Sequence, residues 1–195
     1  MPELFTIGHS THSWEKFPEL LRQHRIEAVA DVRSSPYSRR NPQFNRETFQ
    51  AALRQQGIAY IFLGEELGAR RLEPECYVNG RADYAHIART PAFARGLDRL
   101  GQDAARMRIA MMCAEKDPLD CHRCILVSPR LKERGISVQH IRDDGTLESQ
   151  EEVERRLAQK FNLTKRELFQ SDVEILAEAY RRQGEKISYA RNTGR

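Results

Sequence analysis

Residues 109–124 read IAMMCAEKDPLDCHRC, and their interpretation decides the fold. Ile109 to Met112 is short and apolar and reads as a buried strand, the core of a fourth strand from Met107 to Met112. Polar chemistry then starts abruptly at Cys113 and Glu115. Pro118 punctuates a loop. Asp120 is placed as an N-cap, with Cys121, His122 and Arg123 in the first turn of the next helix. That helix is expected to end near Gly135, broken or kinked at Pro129. In an open α/β sheet, ligands bind beyond the carboxyl ends of the strands, where helix N-termini also point. The site is therefore expected on this strand–loop–helix crest.

The rest of the chain repeats the same unit. Leu4–Gly8, Ile26–Val32, Ile58–Leu63 and Ile136–Ile141 read as further strands. Trp14, Phe17, Leu20 and Leu21 have the spacing of an amphipathic helix capped by Ser13. Asn45 is placed as the cap of a helix from Arg46 to Gln56 that Gly57 stops. Residues 64–83 read as one long loop, of the kind that is usually functional or mobile. Tyr84–Arg89 gives a helical turn, and Thr90-Pro91 opens a helix to about Ala105. After Ile141 the strands are expected to cease. Gln150–Phe161 is helical, Ser171-Asp-Val-Glu174 is a capping box opening a last helix to about Gln183, and residues 186–195 read as a basic, frayed tail.

Strands alternating with helices predict an α/β fold: one three-layer domain with a mostly parallel sheet of about five strands. Residues 1–145 form the α/β core with the site, and residues 146–195 a helical C-terminal extension. A chain of 195 residues suits one domain. Its 39% hydrophobic content fills a core, and 31% charged residues imply a soluble surface. No apolar run approaches the roughly 18 residues of a membrane span, and residues 1–8 do not read as a signal peptide. The expectation is a cytoplasmic protein with no membrane partner. Its four cysteines are then free thiols or metal ligands rather than disulfides. The net charge of +4 permits an anionic partner without requiring one.

If the strands are parallel, the residues that end them share one edge of the sheet. These are His9 and Ser10, Asp31 and Arg33, Glu65 and Glu66, Cys113 and Glu115, and His140 and Arg142. An antiparallel strand would remove its own residues, and the fifth strand is the one most exposed to that objection. His9, Asp31, Glu115 and His122 are candidate acid–base groups. Cys113 and Cys121 are candidate nucleophiles or walls. A free thiol with pKa about 8.5 is only ~3% thiolate at pH 7, and a helix N-terminus with His122 or Arg123 beside it gives Cys121 a route to roughly 6. Cys113 could equally end a buried strand as a small hydrophobe. Arg33, Arg70 and Arg123 are candidate anion holders, against the alternative that Arg33 is locked to Asp31 or Glu115. Ser10, Ser34, Phe44 and Asn45 complete the candidate ligand-binding set.

Cys121 and Cys124 also form a C-x-x-C that Cys113 and His122 could complete as a zinc site. The second pair is missing, so no metal and no cofactor is assigned. Cys124 and Arg130 have the spacing of a phosphatase loop, but the residues between them are apolar. There is no P-loop, no dinucleotide fingerprint and no zincin motif.

These residues carry a resemblance. Thr6-Ile-Gly-His-Ser10, Asp31-Val-Arg33 with Pro36 and Ser38, and Pro42, Phe44 and Asn45 are similar to motifs of the Domain of Unknown Function 488 family. So are Tyr60, Leu63 and Gly68, Met112-Cys-Ala-Glu115 with Cys121-His-Arg123, and His140-Ile141. Ala179-Tyr180 and Gly184–Ile187 resemble the tail of one branch. The resemblance covers nearly the whole chain. It implies the α/β fold and supplies no reaction. Ala69 stands where relatives often carry a second glycine, and Cys124 lies outside the family's Cys-His-Arg pattern.

The leading functional expectation is an enzyme performing hydrolysis or group transfer. Its substrate would be a phosphorylated small molecule, a nucleotide or a nucleic acid. A binding module for a nucleotide or nucleic acid, and a thiol redox or zinc site, stand as alternatives. The C-terminal helices are left open as a lid or a homodimer face.

Overall fold

Alternation along the strands builds the sheet. In Glu3–Gly8 (β1), Leu4 packs on one face while Phe5 and Ile7 pack on the other. Ala28–Asp31 (β2) splits Ala28 and Ala30 from Val29 in the same way, and the central strand Ile109–Cys113 splits Ile109 and Met111 from Ala110 and Met112. Both faces are buried, so a period of two yields a three-layer fold rather than a one-sided sheet.

The computed structural model describes residues 2–163 and 171–191. After β1 come Lys16–Gln23 (α1), β2, Arg46–Gln55 (α2) and Ala59–Phe62 (β3). Gly64–Leu67 (α3) follows, then a two-stranded hairpin of Tyr77–Val78 (β4) and Arg81–Ala82 (β5). Next are Tyr84–Ala88 (α4), Pro91–Ala104 (α5), Ile109–Cys113 (β6), Ser128–Lys132 (α6) and Ser137–Ile141 (β7). The chain continues with Leu147–Ser149 (β8), Gln150–Lys160 (α7) and Asp172–Ile187 (α8).

The main sheet has six strands in the order β3-β2-β6-β1-β7-β8. The first five are parallel, and only β8 runs antiparallel to its neighbour β7. Phe17, Leu20, Leu21, Phe49 and Leu53 of α1 and α2 cover one face. Phe93, Leu97, Leu100 and Leu131 of α5 and α6 cover the other. The fifth expected strand, β7, pairs parallel with β1 and keeps its residues at the shared edge.

Five expectations need correction, four in the core and one in the tail. The strands do not cease at Ile141, because Asp143-Asp-Gly145 turns the chain back into β8. Gly145 takes the positive φ of 86° that the turn needs. The stretch 64–83 is not one loop, since it holds α3 and the β4–β5 hairpin. Asp120 is not the cap of the helix that follows it. Cys121 is the last extended residue there, and its sulfur takes the Arg123 N–H at 3.4 Å. The turn from Arg123 to Val127 is a wide π-turn, placed just before Pro129. A regular helix would drive the Pro129 ring into the carbonyl of Ile125, and the wider turn relieves that clash. Asn45 does precede α2, but its side-chain oxygen braces the loop by accepting from Ser38 N–H at 2.7 Å rather than capping the helix.

The C-terminal helices pack on this π-turn through Cys124, Ile125, Val153, Leu157 and Ala179. The expected frayed tail is ordered to residue 191, with Ser188 buried and Ala190 bridged to Arg81. Residues 192–195 of that tail lie outside the described residues.

Candidate functional site

The crest is assembled at the carboxyl ends of β1, β2 and β6. After Gly8 the ladder continues, with His9 N–H on the Cys113 carbonyl at 2.8 Å and Ser10 N–H on that of Ala114 at 2.9 Å. Gly8 is required there, because an added Cβ would lie 1.9 Å from the Glu115 carbonyl oxygen. Arg123, fully buried, clamps the same loop by donating to the carbonyls of Glu115 at 2.7 Å and Lys116 at 3.2 Å.

Two clusters result. In the first, Arg33 grips Asp31 bidentately, at 2.9 Å and 2.7 Å. Tyr60 O–H donates to the same carboxylate at 2.8 Å, and Arg33 also donates to the Phe44 carbonyl at 2.8 Å. The remaining Arg33 nitrogen donates to His9 Nε2 at 3.2 Å. A guanidinium can only donate, so Nε2 is the acceptor and Nδ1 carries the proton it gives to the Ser10 carbonyl at 2.9 Å. The ring is stacked on Phe44, with centroids 4.4 Å apart. Burial, reinforced by the Arg33 charge, pushes the His9 pKa down to about 4.

In the second cluster, His122 Nε2 donates to the Val32 carbonyl at 3.1 Å. Its Nδ1 faces Cys113 Sγ at 3.6 Å and Cys121 Sγ at 3.9 Å. Burial opposes ionisation of Cys121, but hydrogen bonding from Cys113 and the charges of Arg123 and His122 outweigh it and hold the thiol well below its ordinary range. Cys113 shifts well above that range, first by its hydrogen bond to the Cys121 sulfur and then by burial. Burial and the neighbouring Cys121 sulfur raise the Glu115 carboxyl.

A buried chain of hydrogen bonds leaves this cluster beneath the sheet. Arg123 Nε donates to Thr6 Oγ1, which meets His140 Nδ1 at 2.7 Å. His140 Nε2 donates to Gln150 at 2.8 Å, and Gln150 in turn reaches Tyr180. His140 is neutral, its pKa pushed down to about 3 by burial and then by the Arg123 charge.

A cleft of ≈ 270 Å³ opens above the second cluster. Of the sequence-predicted residues, Cys113, Glu115, His122, Arg33, Ser34 and Arg70 line it. Ser34 Oγ accepts from the Arg70 N–H at 2.9 Å, and the Arg70 guanidinium lies over the Tyr189 ring. Cys121 lies just beneath the cleft, 1% exposed. His9, Asp31, Phe44 and Arg123 are packed inside the crest, while Ser10 and Asn45 lie beside it; none of the six is in the lining. Cys124 turns away and meets Gln150, while Arg130 pairs with Glu133 on the surface, so neither spacing motif is a unit in space.

Sequence reasoning missed Ser35, Tyr84, Ile187 and Tyr189 as lining residues. The last two come from the segment read as frayed. The Gly184–Ile187 motif was the available signal, since Gly184 lets α8 approach Tyr84, whose ring an added Cβ would meet at 3.3 Å.

Fold and site together define a doubly wound α/β protein with a thiol–imidazole cluster at the carboxyl edge of its sheet. The family model described as Domain of unknown function DUF488 matches residues 13–129, more than half of the chain, which belongs to that family. The match includes Asp31, Arg33 and the 113–123 stretch and leaves out β1 and the C-terminal helices. No curated protein and no solved structure matches the chain. Among the described residues, no helix is long and apolar enough to cross a membrane.

Proposed function

We propose that the chain is an enzyme that performs hydrolysis or group transfer on a small anionic substrate, with the Cys113–Cys121–His122 cluster as its reacting centre. One observation carries this reading. Cys113, Glu115 and His122 come from the end of β6, the loop after it and the turn beyond, and they meet in one cleft whose lining Ser34 and Arg70 share. Convergence of titratable groups on a concave site at the carboxyl ends of parallel strands is the pattern of an active site.

The roles follow from position. The cluster activates the attacking group. Glu115, on the cleft wall, carries the proton. Arg70 holds the anion, because its guanidinium is not tied to a carboxylate in any ion pair among the described residues, whereas Arg33 is bound to Asp31. The cleft is at the small end of ligand pockets, which span about 300–1,000 Å³, and so suits a phosphorylated metabolite or a single nucleotide better than a duplex.

Turnover of a panel of phosphate esters and nucleotides tests the reading. Cys113→Ser, Glu115→Gln and His122→Asn should each lower kcat by about a hundredfold or more. Cys124→Ser should leave kcat and KM unchanged. A ligand bound equally well by wild type and Glu115→Gln, with no turnover by either, would make the chain a binding module and overturn the enzyme reading.

A further inference from the structure

We propose that Cys113, Cys121 and His122 are the three protein ligands of a zinc-class divalent ion whose fourth ligand position faces the cleft. The inference rests on the enzyme reading for the use of that fourth position.

The size of the triangle is the first argument. The three ligand atoms lie within 4.8 Å of one another, with His122 Nδ1 3.6 Å from one sulfur and 3.9 Å from the other. A tetrahedral zinc bound at about 2.3 Å to sulfur and about 2.0–2.1 Å to nitrogen sets sulfur and nitrogen about 3.6 Å apart, and its two sulfurs about 3.8 Å apart. Both sulfur–nitrogen distances already stand at coordination spacing, and the two sulfurs, within 4.8 Å of each other, would draw in by at most about 1 Å on binding. No other group of three or more metal-ligating side chains is found among the described residues.

Orientation is the second. The Val32 carbonyl takes the His122 Nε2 proton and so turns Nδ1 toward the sulfurs, where a metal ion would take the place of the Nδ1 proton, the arrangement by which proteins fix a metal-bound imidazole. Cys113 ends a central strand, and Cys121 is held by the Arg123 N–H on its sulfur. Two sulfurs and an imidazole select zinc over magnesium or calcium, which need oxygen donors.

The open position follows from burial. Cys113 and His122 line the cleft, and Cys121 closes the site from below. Cys124, the sulfur that sequence spacing offers as a fourth ligand, is directed at Gln150. Three protein ligands plus an accessible position is the catalytic form of a zinc site rather than the closed structural form. The charges agree with this. Arg123 is fully buried, its guanidinium donates to the Thr6 hydroxyl and to the backbone carbonyls of Glu115 and Lys116, and its charge faces the Cys113 and Cys121 sulfurs. With two thiolates and this guanidinium, a divalent ion needs one further anionic ligand for neutrality. Hydroxide or an anionic substrate supplies it.

The test uses the full chain, expressed in zinc-supplemented medium and purified without chelator. Elemental analysis should find close to one zinc per chain. After chelator treatment, cobalt(II) added alone should restore occupancy with near-ultraviolet sulfur-to-metal absorption. Zinc at a hundredfold excess over Kd should raise Tm by about 5 °C or more. Cys113→Ser, Cys121→Ser and His122→Asn should lose the metal, and Cys124→Ser should keep it. The cobalt spectrum of the wild type decides the matter even where a variant fails to fold. Wild-type protein that takes up neither zinc nor cobalt overturns the proposal. So does loss of metal in Cys124→Ser. Turnover by metal-free protein would remove the ion and leave the enzyme reading standing. A bound zinc with no turnover on the substrate panel would do the reverse.

Discussion

Two buried polar clusters share the crest, and they are built to opposite specifications. Around Asp31 and Arg33 the groups are consumed internally: two carboxylate oxygens, a guanidinium, a phenol and both nitrogens of His9 satisfy one another or the backbone. Around Cys113, Cys121 and His122 the far nitrogen of the imidazole is tied to the Val32 carbonyl and the Cys121 sulfur takes one backbone N–H, while Nδ1 faces the two sulfurs at 3.6 Å and 3.9 Å beside an open cleft. A closed network stabilises and positions. An open one retains the capacity to bind or react. The same inventory of residues, read without coordinates, gives both clusters equal claim to chemistry.

The largest expected effect breaks the first cluster. Asp31→Ala leaves Arg33 buried at 6% exposure with its carboxylate partner gone. Stranding a buried charge in this way costs about 3–5 kcal/mol. Urea unfolding should show that loss, while Cys113→Ala, which strands no charge, should cost less than half as much and yet remove activity. Equal destabilisation by the two substitutions would erase the distinction between lock and site.

Acid probes the histidines that flank the clusters. His9 and His140 are held neutral in the fold, with pKa values near about 4 and about 3, and both return to the ordinary histidine range on unfolding. The unfolded chain therefore binds more protons between pH 6.5 and 4, so their contribution to stability is complete above that window and declines as pH falls through it. Together they should cost about 3 kcal/mol between pH 8 and pH 5.5. His140→Gln should remove about half of that slope. Equal slopes for wild type and His140→Gln between pH 7 and 5 would mean that the His140 ring is not held neutral.

Gly8→Ala tests the backbone that joins the clusters. The new methyl would overlap the Glu115 carbonyl oxygen, which Arg123 fixes from the other side. Overpacking of this kind costs about 1–3 kcal/mol. Because the displaced residue carries the Glu115 side chain, kcat should fall in Gly8→Ala even at temperatures where the protein remains folded.

What the sequence makes legible follows from how local each feature is. The parallel strands, the Thr90 and Ser171 caps and the convergence of Cys113, Glu115 and His122 all rest on period, capping chemistry or strand-end position, which neighbouring residues encode. The β7–β8 return, the ordered tail and the fate of each arginine do not. Whether Arg33 binds a ligand or Asp31 depends on Tyr60 and Phe44, 27 and 11 residues further along the chain. Whether Cys124 belongs to a C-x-x-C depends on Gln150 and on a π-turn that Pro129 makes necessary. Resemblance to family motifs pointed at this crest but could not separate its closed half from its open half, because motifs mark both.

The smallest effect on stability should come from Arg70, the arginine proposed to hold the anion. The Arg70 backbone N–H, not its side chain, makes the bond to Ser34, so Arg70→Ala keeps that link. What it loses is the contact of the guanidinium with the Tyr189 ring at 4.9 Å, worth about 0.5–1 kcal/mol at an exposed position. Stability should thus change by less than for any substitution in the Asp31–Arg33 lock. KM for an anionic substrate should nevertheless rise about tenfold, the loss expected for one charge-assisted hydrogen bond of about 1.5 kcal/mol. Arg70→Lys should restore part of it by returning the charge without the planar fork. If Arg70→Ala left KM unchanged while Arg33→Lys raised it, the anion would be held by the arginine of the lock, and the boundary between the two clusters would have to be redrawn through Arg33.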